Sequence, residues 1–387
     1  MSKFRFLTSG ESHGKCLNAI IEGLPAGFKI DEEYINSELK RRQAGYGRGK
    51  RMQIESDKCE FKSGVRHGYT TGAPICLEIK NKDFENWKIP MSSSEVDLNN
   101  EEIKKLVNEK SFTKIRPGHA DYAGAVKYNF EDLRNVLERS SARQTAIEVA
   151  VGAVAKQILQ EFSIKGFSHV IQIGKVKVKD LPNNLSEMAK EAELSELRCA
   201  DKNTTELMKL EIDNAKEQGD TLGGKFEVIY ENLPIGLGSF VHWDRKLDGK
   251  IAQAVMSIPA VKSVEIGAGI EAAELNGSKM HDEVFCENEQ IYRKTNNAGG
   301  IEGGMSNGEP IVVKAVMKAI PTLRTPLKTI DYKTKESAEA HFERSDCCAV
   351  PACAVVAEAR VAWILLETFL EKFGGDSLEE IKKNYEK

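Results

Sequence analysis

The chain has 387 residues, of which 41% are hydrophobic and 29% are charged, and its formal net charge is −4 at pH 7. It can therefore bury a large core, as one big domain or two moderate ones, and the whole molecule has no electrostatic attraction to nucleic acid or to an anionic membrane. The amino terminus lacks a signal-peptide core and no apolar run reaches about eighteen residues, which predicts a cytoplasmic protein.

The eight cysteines are scattered, and none of them forms a C-x-x-C pair. Several stand in apolar runs. This distribution indicates neither a zinc site nor a disulfide framework, so we expect reduced thiols and no bound metal.

A histidine stands between glycines near the start of the chain, in the sequence GESHG at residues 10–14. Flanking glycines let a backbone approach a ligand closely, and they predict that the imidazole of His13 is left uncovered. The pattern suits a catalytic histidine, whereas a histidine without other motifs is more often structural.

The next predicted helix begins after Asp31, which is a suitable N-cap, and ends in a basic stretch rich in glycine. Residues 40–51 contain six cationic residues. Such a segment suits a loop that closes over an anionic substrate, and the alternative is a solvated basic loop. It is not a P-loop, because Arg51 follows Lys50 where Ser or Thr is required. Short strands are predicted at residues 52–54 and 74–79.

The residues between Arg116 and Thr145 carry the densest chemistry. From Ala142 onward, small and apolar residues recur at helical spacing, which predicts a long helix with an alanine-lined face. Ser141 and Gln144 stand three apart, as in a capping box, so the start of this helix is a predicted anion site with arginines beside it. The alternative is an ordinary capped helix with surface arginines.

The second half of the chain alternates strands with glycine-rich turns. Strands are predicted at residues 170–178, 226–230 and 311–319, and exposed helices at residues 186–218. Residues 264–272 match a strand followed by G-x-G-x-x-A, but the polar region that follows argues against a dinucleotide-binding unit. The glycine-rich residues 298–308 suit either close approach of a flat or anionic ligand or a flexible turn. A last alanine-rich helix is predicted at residues 351–373.

Short repeated sequences suggest two related halves, roughly residues 1–165 and 225–387, with a helical excursion at 180–220. The sequence Glu-Arg-Ser precedes both long helices, at residues 138–140 and 343–345. The predicted fold is α+β, with the two helices packed as a central layer between antiparallel sheets.

Three motifs in this order, residues 10–14, 116–121 and 139–143, resemble chorismate synthase. Further segments similar to that family are residues 41–49, 242–244, 256–258, 299–304 and 344–347, so the resemblance covers nearly the whole chain. The sequence departs from the family pattern at residues 318–322, where the family more often has Lys-Pro, and at Gln144, which is often Glu.

The resemblance implies a single-domain β-α-β sandwich that forms a homotetramer. It also implies the last step of the shikimate pathway, a 1,4-anti elimination that converts 5-enolpyruvylshikimate 3-phosphate to chorismate and phosphate. Reduced FMN (FMNH2) is required without net oxidation, and the flavin is reduced either by a built-in NADPH-dependent activity or by an outside supply. An electron-rich flavin suits this reaction because the carbon–hydrogen bond that breaks is barely acidic.

Residue roles carry over by motif. His13 would assist departure of phosphate as a general acid, Ser12 would support a proton relay and His119 would protonate the reduced flavin. Asp346 would hold the flavin's central ring nitrogen. The predicted substrate-binding residues are Arg42, Arg48, Arg116 and Arg143. The predicted FMN contacts are Arg139, Ser140, Ser141, Ala260, Gly304, Lys318, Ala319, Ile320, Pro321, Thr322 and Arg344.

Two other classes of function remain open at this point. A phosphate-binding enzyme without flavin, such as a phosphatase or isomerase, would use His13 and the arginines but not the glycine-rich loop near Gly304. A non-catalytic flavin carrier would not need two histidines in separate motifs.

Overall fold

The computed structural model describes residues 4–48, 57–343 and 346–386. Its strands are β1 (Arg5–Ser9), β2 (Cys16–Glu22), β3 (Cys59–Ser63), β4 (Val65–Arg66), β5 (Tyr69–Thr70), β6 (Ile75–Lys80), β7 (Lys165–Ile173), β8 (Val176–Lys177), β9 (Gly224–Glu231), β10 (Val261–Ile266), β11 (Val284–Glu287), β12 (Gln290–Arg293), β13 (Ile301–Glu302), β14 (Met305–Ser306), β15 (Ile311–Met317), β16 (Lys328–Ile330) and β17 (Ser337–Glu339).

The α-helices are α1 (Glu32–Gln43), α2 (Glu101–Lys110), α3 (Asp121–Tyr128), α4 (Arg134–Ser140), α5 (Thr145–Gln160), α6 (Leu185–Leu194), α7 (Lys202–Glu217), α8 (Leu247–Met256), α9 (Gly277–Met280), α10 (Val350–Phe373) and α11 (Leu378–Tyr385). Short 3-10 helices cover Lys82–Trp87, Ala142–Gln144, Trp243–Arg245 and Gly269–Glu274. None of the helices in the described ranges is long and apolar enough to cross a membrane.

The first sheet is antiparallel, with the strand order β1-β2-β6-β3. Alternate residues of its central strands are apolar and buried, and they pair across the strands, as Leu17 does with Ile79 and Ile21 with Ile75. This alternation gives the sheet one apolar face, and α5 packs against it through β2 and β6.

The second sheet is also antiparallel, with the order β10-β15-β9-β7-β8. Its strands β7 and β9 contact α10. Because β10 pairs antiparallel with β15, the G-x-G-x-x-A sequence that follows β10 is not part of a parallel dinucleotide-binding unit.

The two long helices, α5 and α10, pack closely against each other. A Cβ atom on Gly152 would lie 2.4 Å from the Cβ of Ala359, so a glycine is required where the helices meet. Their alanine-rich faces therefore bring the two sheets and the segments that precede both helices into one core.

Three local predictions need correction. The central helix begins at Thr145, not at Ala142, and there is no capping box: Ser141 Oγ accepts the N–H of Arg143, and Gln144 Nε2 donates to Thr8 instead. The predicted strand at residues 170–178 is a hairpin, in which β7 ends at Ile173 and β8 follows. The predicted strand at residues 52–54 lies outside the described residues.

Candidate active site

A cavity of about 1230 Å³ lies where the segments before the two long helices meet. The turn after β1, the end of α1, the segment before α3 and the start of α5 contribute to its lining, as do the end of α7, the segment after β15 and the start of α10. A pocket for one drug-sized ligand has at most about 1,000 Å³, so this cavity has room for more than one small molecule.

His13 lies in the wall of this cavity and is held by Glu138. Its Nδ1 lies 2.8 Å from Glu138 Oε1, and its backbone N–H donates to Glu138 Oε2 at 2.8 Å. The imidazole stacks on Trp87 with a centroid distance of 3.9 Å. The prediction that flanking glycines leave the ring uncovered is therefore wrong, because His13 is only 4% exposed. Gly10 is still required: its φ is 104°, and a Cβ there would lie 2.3 Å from the Cys16 carbonyl oxygen.

His119 lies beside a second buried carboxylate, that of Asp121. His119 Nδ1 is 2.8 Å from Asp121 Oδ1, and Arg116 donates to both carboxylate oxygens, at 2.8 Å from Nε and 2.7 Å from Nη2. Burial raises the pKa of Asp121, but the hydrogen bonds from Arg116 and His119 outweigh this effect and hold the pKa well below its ordinary value. Asp121 is thus an ionised anchor that fixes both neighbours at the cavity wall.

Arg42 and Arg143 are held at the same wall by neutral and anionic acceptors. Arg42 donates to the Thr145 hydroxyl and to the Ala142 carbonyl, both at 2.9 Å. Arg143 donates to Asp57 at 2.6 Å and to the side chain of Asn81 at 2.9 Å. These contacts orient both guanidinium groups before any ligand binds.

Arg48 and Asp346 form an ion pair at the cavity, with 3.1 Å between Nη1 and Oδ2. The Arg48 side chain is 10% exposed, and its Nε is buried without a hydrogen-bond partner within the described residues. A buried donor of this kind is costly unless a ligand accepts from it. Arg48 is also the last described residue before the gap at 49–56, so residues 49–51 of the predicted basic segment lie outside the described residues.

Most of the predicted FMN contacts line the cavity. These are Ser140, Ser141, Ala260, Lys318, Ile320, Pro321 and Thr322, and the predicted catalytic Ser12 joins them. The Ser141 hydroxyl donates to Ser12 at 3.2 Å, and Lys318 Nζ donates to the Gly118 carbonyl at 2.6 Å.

Three predicted FMN contacts have other surroundings. Arg139 donates to the carbonyl oxygens of Thr8 and Gly10, and Gly304 lies in the turn between β13 and β14, where it accepts from Leu247. Neither lines the cavity, and nor does Ala319, which sits between lining residues. Arg344 lies outside the described residues. The roles assigned to these residues stay predictions.

Sequence reasoning missed several residues of the site. Glu138 and Trp87 hold His13, and Tyr46 lines the cavity and donates to Asp213 of α7 at 2.8 Å. Lys216 stands three residues after Asp213, so both project from one face of a helix that the sequence analysis assigned to an exposed excursion. The three-residue spacing of Asp213 and Lys216 was the signal in the sequence that could have identified this helix face as part of the site.

Cations outnumber anions at the cavity wall. Seven described lining residues are Lys or Arg, and four are Asp or Glu. The cations are Arg42, Arg48, Arg116, Arg143, Lys216, Lys318 and Arg324, and the anions are Asp213, Asp220, Glu343 and Asp346. Apolar side chains such as Ile258, Pro321 and Phe342 complete the lining. The wall can therefore bind a multiply anionic ligand together with a flat apolar group.

Comparisons with known proteins agree on one family. A family model described as chorismate synthase matches residues 4–370. The chorismate synthase of Carboxydothermus hydrogenoformans is 54% identical over 385 residues, which cover 99% of this chain and 97% of that protein. That of Brevibacillus brevis is 54% identical over 381 residues, with 98% and 97% covered. A crystal structure of chorismate synthase superimposes with a TM-score of 0.79 at 44% identity, covering 99% of this chain and 96% of the other. The chain therefore belongs to the chorismate synthase family, lyases that eliminate phosphate to form chorismate in the last step of the shikimate pathway.

Proposed function

We propose that the cavity holds 5-enolpyruvylshikimate 3-phosphate and reduced FMN together during the 1,4-anti elimination. The observation that carries this proposal is a cavity larger than one small ligand needs, with seven cations against four anions in its described lining. The substrate has one phosphate and two carboxylates, and FMN adds a second phosphate and a flat apolar ring. Both the volume and the excess of positive charge fit this pair.

The four predicted substrate-binding arginines would hold the substrate's anionic groups. Arg42, Arg116 and Arg143 are already oriented by hydrogen bonds, so binding would cost little side-chain entropy. Arg48 has a buried Nε that a phosphate or carboxylate oxygen would satisfy.

His13 would act as the general acid for the leaving phosphate. As the carbon–oxygen bond breaks, its electron pair stays on the phosphate oxygen, and a proton from the imidazolium limits the negative charge that develops there. Ser12, which accepts a hydrogen bond from Ser141, would take part in relaying that proton. His119, held by Asp121, would serve the second proton position, next to the flavin.

A second set of donors in the cavity lining fits FMN. The serine hydroxyls of residues 140–141, the ammonium group of Lys318 and the backbone and side chains of residues 320–322 offer polar donors beside apolar Ile258 and Ala260. Arg139, Gly304, Ala319 and Arg344 would join them, and Asp346 would hold the central ring nitrogen. Reduced FMN, when bound, supplies an electron-rich ring that can donate charge and recover it without net oxidation.

The test is phosphate release with pre-reduced FMN and oxygen excluded, while the flavin absorbance is followed. We expect each enzyme molecule to release many phosphates while the flavin stays reduced. Oxidised FMN should bind without supporting turnover. Release of phosphate without any flavin would instead indicate a flavin-independent phosphatase, and binding of FMN without release of phosphate would indicate a flavin carrier.

We further propose that the chain is one domain, that its halves at 1–165 and 225–387 are related, and that four copies assemble as a cytoplasmic homotetramer. Large apolar side chains are exposed in the segment between β9 and α8, at 68% for Phe240, 67% for Val241 and 76% for Trp243. Exposed clusters of this kind are typical of subunit interfaces. Sedimentation of the full chain should give a tetramer, and replacing Phe240 and Trp243 by Ser should yield smaller species.

A further inference from the structure

We infer that Glu138 is a positioning residue for His13 that fixes both the orientation and the tautomer of the imidazole. This inference rests on the proposed role of His13 as the general acid. Glu138 belongs to α4 and does not line the cavity, and it is only 4% exposed. It therefore acts on the reaction through His13 and not through the substrate.

Glu138 holds the whole turn that carries His13. Its backbone carbonyl accepts the N–H of Ser12 at 3.0 Å, and its Oε2 accepts the N–H of His13 at 2.8 Å. Its other oxygen, Oε1, lies 2.8 Å from His13 Nδ1. One residue thus fixes both the backbone of the turn and the ring that projects from it.

The surroundings of this pair allow one arrangement of the ring. Trp87 covers one face of the imidazole at 3.9 Å, and Arg134 Nη1 lies 3.5 Å from Glu138 Oε1. The carboxylate lies beside this guanidinium group and accepts the backbone N–H of His13, and a carboxylate can only accept hydrogen bonds. Nδ1 must then carry a proton, so Nε2 is the ring nitrogen that gains and loses a proton.

This arrangement defines the proton transfer. In the imidazolium form the Nε2–H bond breaks, its electron pair stays on the ring, and a new O–H bond forms on the leaving phosphate. Glu138 stays ionised throughout and stabilises the positive ring before transfer. Without the carboxylate, the neutral ring can place its proton on Nε2 instead, so Nδ1 becomes the nitrogen that takes up the next proton and Nε2 can no longer accept one.

The matched pair of variants is Glu138→Gln and Glu227→Gln, measured in the full-length protein. Glu227 Oε2 lies 2.8 Å from Nε2 of the buried His169, which does not line the cavity, so this second change breaks the same kind of contact elsewhere. We expect Glu138→Gln to lower kcat by about a hundredfold with little change in the substrate KM, because binding residues are untouched. Glu138→Asp should recover part of kcat, and Glu227→Gln should not alter it.

A measurement independent of activity is the ¹⁵N NMR spectrum of the histidine rings, with His13 assigned by the loss of its signals in His13→Ala. The wild-type His13 should carry its proton on Nδ1, and Glu138→Gln should show a mixture of tautomers. A wild-type ring with Nε2 protonated and Nδ1 bare would overturn the inference even if Glu138→Gln failed to fold. Wild-type kcat in Glu138→Gln would also overturn it. If His13→Ala itself keeps wild-type turnover, the proposed role of His13 is wrong as well, whereas a defect in His13→Ala without one in Glu138→Gln refutes only the role of Glu138.

Discussion

Two regions of this molecule contain many charged side chains at buried positions, and they differ in the balance between cations and anions. The first is the cavity, with its excess of cations. The second, which we name the ion cluster, comprises Glu38, Arg41, Lys156, Glu193, Arg198 and Glu358. Lys156 Nζ lies 2.8 Å from Glu38 and 2.5 Å from Glu358, and Arg41 donates to Glu358 at 2.9 Å.

The ion cluster is neutral, with three cations and three carboxylates, and its members neutralise one another; Glu193 lies at its edge with half of its side chain exposed. Burial raises the pKa of Glu358, but Arg41 and Lys156 outweigh burial and hold the pKa well below its ordinary value. The cavity lining instead has seven cations and four anions, although Arg116 and Arg143 also pair with Asp121 and Asp57, which are not part of the lining. Consecutive residues of α1 serve the two regions, since Arg41 joins the ion cluster and Arg42 faces the cavity. Balanced buried charge thus indicates structure, and unbalanced charge indicates binding.

The largest effect expected at the cavity is that of His119→Ala. A positioned acid–base group contributes about a hundredfold to ten-thousandfold, so turnover should fall within that range while the affinities for FMN and substrate change little. Single-turnover kinetics with pre-reduced FMN, together with binding titrations, measure both quantities. The bound reduced flavin should also show a changed spectrum on adding substrate, a change that His13→Ala should not share.

The result that contradicts this assignment is near-normal turnover of His119→Ala on pre-reduced flavin. His119 would then only support Arg116 and Asp121, which it contacts in the structure. A loss of substrate affinity equal to the loss of turnover would likewise place the residue among the binding groups.

A substitution in the ion cluster should lower the stability of the protein and leave its turnover unchanged. Glu358→Gln leaves Lys156 and Arg41 with too little negative charge inside the protein, and removing one partner of a buried pair typically costs about 3–5 kcal/mol. Urea unfolding should show this loss, whereas turnover per folded molecule should stay near wild type. Glu371→Gln on the same helix is the control, because Glu371 is 40% exposed and pairs with Lys250 at the surface. It should cost less than about 1 kcal/mol. If Glu358→Gln is as stable to urea as the wild type, the proposed difference between the ion cluster and the cavity is wrong.

The sequence predicted the long helices well, because they depend on local patterns. The alanine spacing identified α5 and α10 to within a few residues, and Asp31 caps α1 as expected. The start of α5 was misplaced because the hydrogen bond from Gln144 to Thr8 joins residues far apart in sequence. Glu138 and Asp213 were missed for the same reason: each acquires its role from a partner more than a hundred residues away.

Arg48→Ala tests whether the cavity binds the substrate and FMN through different residues. Removing one buried, charged hydrogen-bond partner costs on the order of 2 kcal/mol, so substrate affinity should fall roughly thirtyfold and FMN affinity much less. Binding of each ligand is measured separately by calorimetry. Arg66→Ala, at an exposed position in β4, is the control and should change neither affinity. Equal losses for both ligands would contradict the assignment of Arg48 to the substrate, and would point to its partner Asp346 as the group affected.

The smallest expected effect concerns Glu343, which lies at the cavity edge and pairs with Arg134 at 2.9 Å. Burial raises its pKa, but the hydrogen bond from His341 and the charge of Arg134 outweigh burial and lower the pKa from 4.5 to about 2. Because the pKa is lower in the folded state, ionised Glu343 stabilises the protein above about pH 4.5, and this contribution is lost as the pH falls toward about 2.

Glu343→Gln should therefore lower the free energy of unfolding by about 1 kcal/mol at neutral pH, since the side chain is partly exposed. In urea titrations from about pH 7 to about pH 3, the difference from wild type should shrink below about pH 4.5. A difference that stays constant across this range would mean that Glu343 contributes by packing and not by its charge.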